Sequence, residues 1–477
     1  MKKRIISLFL VMTLILTVFS SSTALAQEEL VAQPTFSQWA MEDLIVGDTY
    51  NIYPMSWYTK NMQAPITHGQ LRVLLAGIRC KFLDTDCVID YYEQRYKLKS
   101  NMKVEEVLEF LYLLISDYEF SGNVGITDNG NALEYMEEYG IYTGDNGELS
   151  LKDVCSIEQA CVIATRLITH VYDALDAASK GFLWEIESGE NTVYLLGSVH
   201  LANYDIYPFG NNIGEAFEES NILGVEIDIV NIQEDVNTLY MQYGIYTDGT
   251  SLKDHVSEET YQMAVMVGAN FGITEEIIAM MKPWYLYSTF STFITTSSGT
   301  AEEVALAQTL GIDRKFLIDA YLSGKPIVEL ESFENQIQML DSFSDELIEW
   351  LLSETLDGII SMNQGEDIGG DELINMLLDY WHKGDVEGFM SDIAPMLFAT
   401  EIPSMDEEDK EALLLMDEYI DKMLTQRDKG MAEKIDAYLK AEGSSTYFIV
   451  VGSAHYISEY SVIDILEDMG YEINQVK

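Results

Sequence analysis

Two apolar runs set the pattern of the second half of the chain. Asn191 to His200 reads NTVYLLGSVH, and Thr446 to His455 reads TYFIVVGSAH. Each is rich in β-branched and aromatic residues, which predicts a buried strand, and each closes on Gly-Ser-small-His. Phe182 to Ile186 and Thr192 to Leu196 read as paired strands around the turn Ser188-Gly189-Glu190. After His200, an amphipathic stretch from Ile213 to Ser220 leads into a strand pattern from Ile222 to Asp228. Strand, helix, strand over about 35 residues predicts a βαβ unit, with a parallel pair and a right-handed crossover.

The remaining periodicity is mostly helical. Residues from Asp235 to about Asn363 contain one clear strand, Ile327 to Leu330. Asp313 is expected to cap the preceding helix, Gly324 to end it, and Pro326 to forbid its continuation. Residues 364 to about 425 read as a helical insertion or lid, acidic and rich in Met and Leu up to Ser404. The capping box Ser404-Met405-Asp406-Glu407 opens a helix or helix pair to Glu442, in which Met431, Ile435 and Leu439 would face the sheet. A last helix and strand reach Val476. The expected fold is α/β: a central mixed or mostly parallel sheet over residues 182–477, with surrounding helices and the insertion. A small, mainly helical domain at 27–178 precedes it, with a capping box at Ser156-Ile157-Glu158-Gln159.

The strand pattern places chemistry. Of the six histidines, two occupy the same place in the repeated phrase. In an open α/β sheet the ligand crevice lies beyond the carboxyl ends of the strands, so His200 and His455 are expected to share one site. Gly197 and Gly452 would permit a sharp turn or close approach there. Glu226 stands in a strand otherwise fit for burial, where a carboxylate needs a partner or a metal. Glu329 and Glu331 flank the end of another strand. Arg427 could orient a carboxylate or hold an anionic group. Ser198 and Ser453 are weaker candidates as nucleophiles, since activation requires a base within hydrogen-bond reach.

Charge and targeting signals set the surroundings. With 80 acidic and 27 basic residues the formal charge is −53, which excludes nucleic acid and anionic membrane as partners and favours cations. Lys2, Lys3 and Arg4, the apolar run Ile5 to Phe19, and Ala24-Leu25-Ala26 form a secretory signal over residues 1–26, with cleavage near Ala26. The expected product is secreted or surface-associated, with no transmembrane segment. Cys80, Cys87, Cys155 and Cys161 permit disulfides, a zinc site of unusual spacing, or buried thiols.

Two resemblances extend this reading. Pro65 to Arg72, the turn Gly140-Ile141-Tyr142-Thr143-Gly144 and Ser156 to Gln159 resemble two S-layer homology modules, wall-anchoring units whose partner is cell-wall glycan. Here Thr67-His68-Gly69-Gln70 and Ser156-Ile157-Glu158-Gln159 replace the usual Thr-Arg-Ala-Glu. From Phe182 onward the chain resembles the TraB/GumN family, related to the Tiki proteases and pheromone-shutdown proteins. The matching pieces are Gly197-Ser198-Val199-His200, the strand of Glu226, Lys282-Pro283-Trp284, Gly311-Ile312-Asp313, Gly324-Lys325-Pro326 with Leu330-Glu331 and Gln336, Arg427 with Met431-Ala432, and Gly452-Ser453-Ala454-His455.

The second resemblance implies one site formed by both Gly-x-x-His motifs and Glu226, and in the Tiki branch divalent-metal-dependent peptide cleavage. The expected ligands are His200, Glu226 and His455 around Mn, Co or Zn, with Arg427 and Glu331 as further catalytic residues and Asp228 as another group that could assist proton transfer. The substrate would be a peptide or protein. A metal-free alternative uses His200 as general base, oriented by Glu226. A non-catalytic alternative is a secreted or wall-associated binder that sequesters a peptide signal. Asp428, where the family commonly has asparagine, and Ser458, where it often has glycine, are expected to lie outside the ligand set.

Overall fold

The structure, a computed structural model, describes residues 36–59, 61–83, 101–127, 130–144, 149–232, 235–294, 301–364, 370–394, 407–458 and 460–477. The expected signal at 1–26, Cys87 and Ser404 to Asp406 of the expected second capping box lie outside them. Two compact units form among the described residues: one from residues 36–179 with Tyr204–Asn211, the other from Lys180–Asn203 and Asn212–Lys477.

In the first unit, helices His68–Leu83, Val104–Ser116 and Ile157–Ala174 begin around a closed ring of backbone hydrogen bonds. Ile66 N donates to Cys155 O (2.9 Å), Cys155 N to Met102 O (2.8 Å), and Met102 N to Ile66 O (3.1 Å). At each helix start a Gln or Glu side chain accepts from the backbone N–H three residues earlier: Gln70 from Thr67, Glu106 from Lys103, Gln159 from Ser156. The sequence suggested two such copies, and the structure has three. The middle one is hidden because Lys103 stands where the signal expects Ser or Thr, leaving only the reciprocal half of the box. Cys80 is in a disulfide, while Cys155 and Cys161 are buried free thiols, which rules out zinc held by all four cysteines.

The second unit is built on a six-stranded sheet of order β4-β3-β5-β2-β1-β6. The strands are β1 Phe182–Ser188, β2 Asn191–Ser198, β3 Ile222–Val225, β4 Ile327–Glu329, β5 Thr446–Gly452 and β6 Ile473–Gln475. β2, β5, β3 and β4 run parallel, and β1 is antiparallel to both β2 and β6. The sheet is therefore mostly parallel, as the pattern predicts. One expectation needs correction: β2 and β3 are not neighbours, because β5 lies between them and pairs with both. The crossover leaves a slot one strand wide, and the apolar β5, buried along six of its seven residues, fills it.

Register then decides where the repeated phrases meet. Thr192 pairs with Thr446 and Ser198 with Gly452, so the two copies are staggered by one residue. On β5, Phe448 packs against Phe316 of helix Ile312–Ser323 (centroids 4.9 Å apart), while the adjacent Tyr447 stacks on Tyr438 of helix Gln426–Leu439 (4.6 Å). Successive strand residues point to opposite faces, so these two helices cover opposite faces of the sheet. Among the described residues no helix is long and apolar enough to cross a membrane.

The first unit carries a titration that its own stability should report. Burial pushes the Asp48 carboxyl up to about 6, against hydrogen bonds led by the Tyr58 hydroxyl at 2.8 Å. A folded pKa above the ordinary 3.8 means this stabilisation is full below about pH 4 and is lost as pH rises through about 6. Asp48→Asn is expected to flatten that slope and to stabilise the unit at pH 7 by about 1–3 kcal/mol. Denaturant midpoints measured from pH 4 to 8 check this, and an unchanged slope refutes it.

Candidate functional site

All four parallel strands deliver chemistry beyond their carboxyl ends. His200 follows β2, Glu226 follows β3 directly, Glu331 follows β4, and His455 lies in the short helix Ala454–Ile457 after β5. The two repeated phrases lock together: Ser453 donates to Ser198 O from both N and Oγ, each at 2.9 Å. A Cβ on Gly197 would stand 2.9 Å from Ser453 Oγ and 3.2 Å from its Cα, which is why this position is glycine. Ser198 Oγ donates to Asp313 Oδ1 at 2.6 Å. Both serine hydroxyls are thus engaged away from the imidazoles, and neither is arranged as a nucleophile.

Each histidine is held by an aspartate from a different face of the sheet. His200 Nδ1 donates to Asp313 Oδ2 at 2.6 Å, and Asp313 belongs to helix Ile312–Ser323. His455 Nδ1 shares a hydrogen bond of 2.5 Å with Asp428 Oδ1, and Asp428 belongs to helix Gln426–Leu439. Two expectations are corrected here. The N-cap of the first helix is Gly311, because a Cβ there would meet His200 O at 2.4 Å; Asp313 sits one step inside and holds His200. Asp428 does touch the proposed ligand set. The metal-free alternative also changes, since His200 is oriented by Asp313 and not by Glu226.

Glu226 is fixed from three sides. Its Oε1 accepts from Gly452 N at 2.7 Å, and its Oε2 from Arg427 Nη2 at 2.6 Å and Gln336 Nε2 at 3.4 Å. Arg427 also grips Glu331 with Nε and Nη2, at 2.9 and 2.7 Å, and donates Nη1 to Met423 O at 3.0 Å. Met423 lies in the π-helical turn Asp421–Thr425, where wider winding displaces carbonyls from the usual ladder. The turn therefore both aims Arg427 and supplies one of its acceptors. Asp228, by contrast, accepts from the Val230 and Asn231 N–H groups of its own loop and from the Tyr321 hydroxyl of helix Ile312–Ser323, which commits it outside this cluster.

The electrostatics differ between the two imidazoles. Burial lowers the His200 pKa, but the charge and hydrogen bond of Asp313, aided by Glu226, outweigh it and raise it. Asp313 itself is lowered, because His200 and Ser198 overcome its desolvation. For His455, burial and then the positive Arg427 and His200 push the pKa well down, while burial pushes Asp428 well up, so this pair is driven towards neutrality. Desolvation raises the Glu331 pKa as well, yet the charge and hydrogen bonds of the Arg427 guanidinium hold it below the usual value.

What the arrangement leaves open is as informative as what it satisfies. His200 Nε2 and His455 Nε2 are buried with no hydrogen-bond partner. They lie 4.0 and 3.8 Å from the same atom, Glu226 Oε1. Among the described residues no three His, Cys, Asp or Glu side chains are close enough to form a metal cluster as they stand. The donor chemistry fits a divalent ion all the same: two imidazole nitrogens, each with its Nδ1 held by a carboxylate, facing a third carboxylate. Three buried acids, Glu226, Asp313 and Asp428, lie here with the half-buried Glu331, and Arg427 pairs with Glu226 and Glu331.

A mostly parallel sheet that gathers two strand-end histidines around a buried glutamate defines an α/β protein with a paired-histidine centre. The chain belongs to the TraB/PrgY/gumN family, whose model matches residues 182–475. It is 26% identical to the uncharacterised protein YbaP of Escherichia coli over 35% of this chain and 58% of that one. It is 19% identical to a metalloprotease TIKI homologue of Nematostella vectensis, over 62% of this chain and 67% of that protein. For the metalloprotease TIKI1 of Danio rerio the identity is 20%, over 62% and 63%. No solved structure matches.

The buried ion cluster makes its own prediction. Arg427→Met leaves Glu226 and Glu331 without their counter-charge and is expected to cost about 3–5 kcal/mol of stability. Adding Glu331→Gln should recover part of that loss, a sign pattern readable by denaturant titration. A single variant as stable as the wild type would refute the assignment.

Proposed function

We propose that this protein is a secreted hydrolase that cleaves peptide bonds, with a divalent metal (Mn, Co or Zn) held by His200, His455 and Glu226. The observation that carries the reading is the pair of partnerless Nε2 atoms 4.0 and 3.8 Å from Glu226 Oε1. Kinship with proteins named as metalloproteases supports it. When bound, such an ion supplies Lewis acidity towards a carbonyl and lowers the pKa of water. The chain's own part is orientation and proton handling. Asp313 keeps the Nδ1 proton of His200 in place, which leaves Nε2 as the free donor atom. Asp428 does the same for His455 once it is ionised, a form that added positive charge in the site would favour.

Arg427 holds Glu226 against rotation. Glu331 has both oxygens engaged by Arg427 and is read as a positioning residue. The ring of three helix starts in the first unit supports reading it as a repeat module that tethers the enzyme, with cell-wall glycan as the proposed partner.

The test is direct. Residues 27–477 are purified, loaded with Mn, Co or Zn, and assayed for bound metal and for cleavage of a proteome-derived peptide library. About one bound ion per chain is expected, with His200→Ala and Glu226→Ala losing both metal and cleavage. Asp313→Asn is expected to weaken metal affinity by about 10–100-fold. If all these proteins behave alike, the hydrolase reading is wrong; peptide retention without cleavage would favour a sequestering binder.

A further inference from the structure

We propose that the Tyr456 hydroxyl is a further working group of this site, a hydrogen-bond donor to the oxygen of the substrate's peptide carbonyl. The proposal rests on the reading above that the site acts on peptides. Tyr456 follows His455 in the short helix Ala454–Ile457, and its backbone N donates at 2.9 Å to Ser453 O, in the turn that locks the two repeated phrases. Its ring lies against Trp184 of β1, with centroids 5.5 Å apart and planes tilted by 59°. At 4% exposure it is buried like the proposed ligands His455 (0%) and Glu226 (3%).

The hydroxyl itself is buried with no hydrogen-bond partner. Burial, and after it the charges of Glu226 and Asp428, push its pKa well up, so the phenol lies in the field of two acids of the site and keeps its proton. A phenylalanine would fill the same space against Trp184 without burying an idle polar group, so packing alone gives no reason for tyrosine here. His200 Nε2, His455 Nε2, Asp428 Oδ2 and Ser458 Oγ are likewise buried without partners, and Ser458 caps the same short helix. Unpaired polar atoms thus recur on both histidines, on the aspartate of His455 and along the helix that carries Tyr456, a set that an entering polar group can satisfy.

The surroundings select what the hydroxyl takes. As a donor it needs an acceptor, and the negative field that acts on the phenol opposes a carboxylate there. An uncharged oxygen meets no such opposition, and on a peptide that oxygen is a carbonyl. A donor held rigidly at this atom binds it more strongly as charge builds there during hydrolysis, so the contact favours the transition state over the bound substrate. The hydroxyl acts through its hydrogen bond alone and transfers no proton.

The test compares metal-loaded wild type with Tyr456→Phe, which keeps the ring against Trp184. A proteome-derived peptide library supplies the best-cut peptide, on which kcat and KM are measured. Tyr456→Phe is expected to lower kcat by about 10–100-fold and to change KM less than about twofold. Bound metal and melting temperature should stay at the wild-type value or above, because the hydroxyl bonds to nothing within the fold. An unchanged kcat would overturn the proposal. So would a lower melting temperature or lost metal, which would assign the hydroxyl to the fold or to the ion.

If the wild type cuts nothing, the hydrolase reading fails on its own. Retention of the same library on immobilised, metal-free wild type and Tyr456→Phe then decides: retention weaker by about three- to tenfold in the variant supports the carbonyl contact, and equal retention, including none, overturns it.

Discussion

Everything in the second unit depends on the parallel pairing of β2 with β5 at a one-residue stagger. Because side chains alternate along a strand, a one-residue offset places equivalent residues of the two phrases on opposite faces of the sheet. The consequence appears just past the strand ends. One histidine takes its aspartate from the helix packed on Phe448, the other from the helix packed on Tyr447. A single repeated sequence thereby approaches one point from two sides, and Gly197 and Ser453 provide the close contact that permits it.

The second dependence is electrostatic. Burying several carboxylates near one point is unfavourable unless cations or hydrogen bonds compensate. Arg427 answers two of them, Glu226 and Glu331, and Gln336 bonds to both. A π-helical turn is what places Arg427 there, at the junction of helices Glu407–Ile420 and Gln426–Leu439. Opening a helix by one residue re-aims the following side chains, and here the displaced Met423 carbonyl becomes an acceptor for the same arginine.

These two dependencies explain what could be read in the chain and what could not. His200 and His455 were legible because the phrase that carries them repeats, and Glu226 because an acid in an apolar strand conflicts with burial. Parallel strands also announced themselves through continuous apolar runs. The insertion of β5 between β2 and β3 was not legible, since pairing between strands more than 200 residues apart leaves no local mark. Asp313 looked like a helix cap because caps and buried partners use the same residue type. Asp428 looked like an incidental neighbour of Arg427. One signal was present: each lies in a helix expected to lead into a strand of the sheet, and a buried imidazole needs an Nδ1 partner.

The two histidine–aspartate pairs, though alike in sequence, are not alike in charge. His200 keeps some contact with solvent and has a carboxylate that remains ionised, so its pair favours the charged form. His455 is fully buried, and with Asp428 it is pushed towards a neutral couple. The asymmetry follows from burial: the His455 and Asp428 side chains have no solvent contact, whereas those of His200 and Asp313 keep a little. A site of this kind has one side that readily carries positive charge and one that resists it. Added positive charge between them would be resisted by the Arg427 guanidinium, and it would favour ionisation of the Asp428 carboxyl that burial holds towards neutrality. The same fold that duplicates the histidine therefore makes the two copies unequal in burial and in charge.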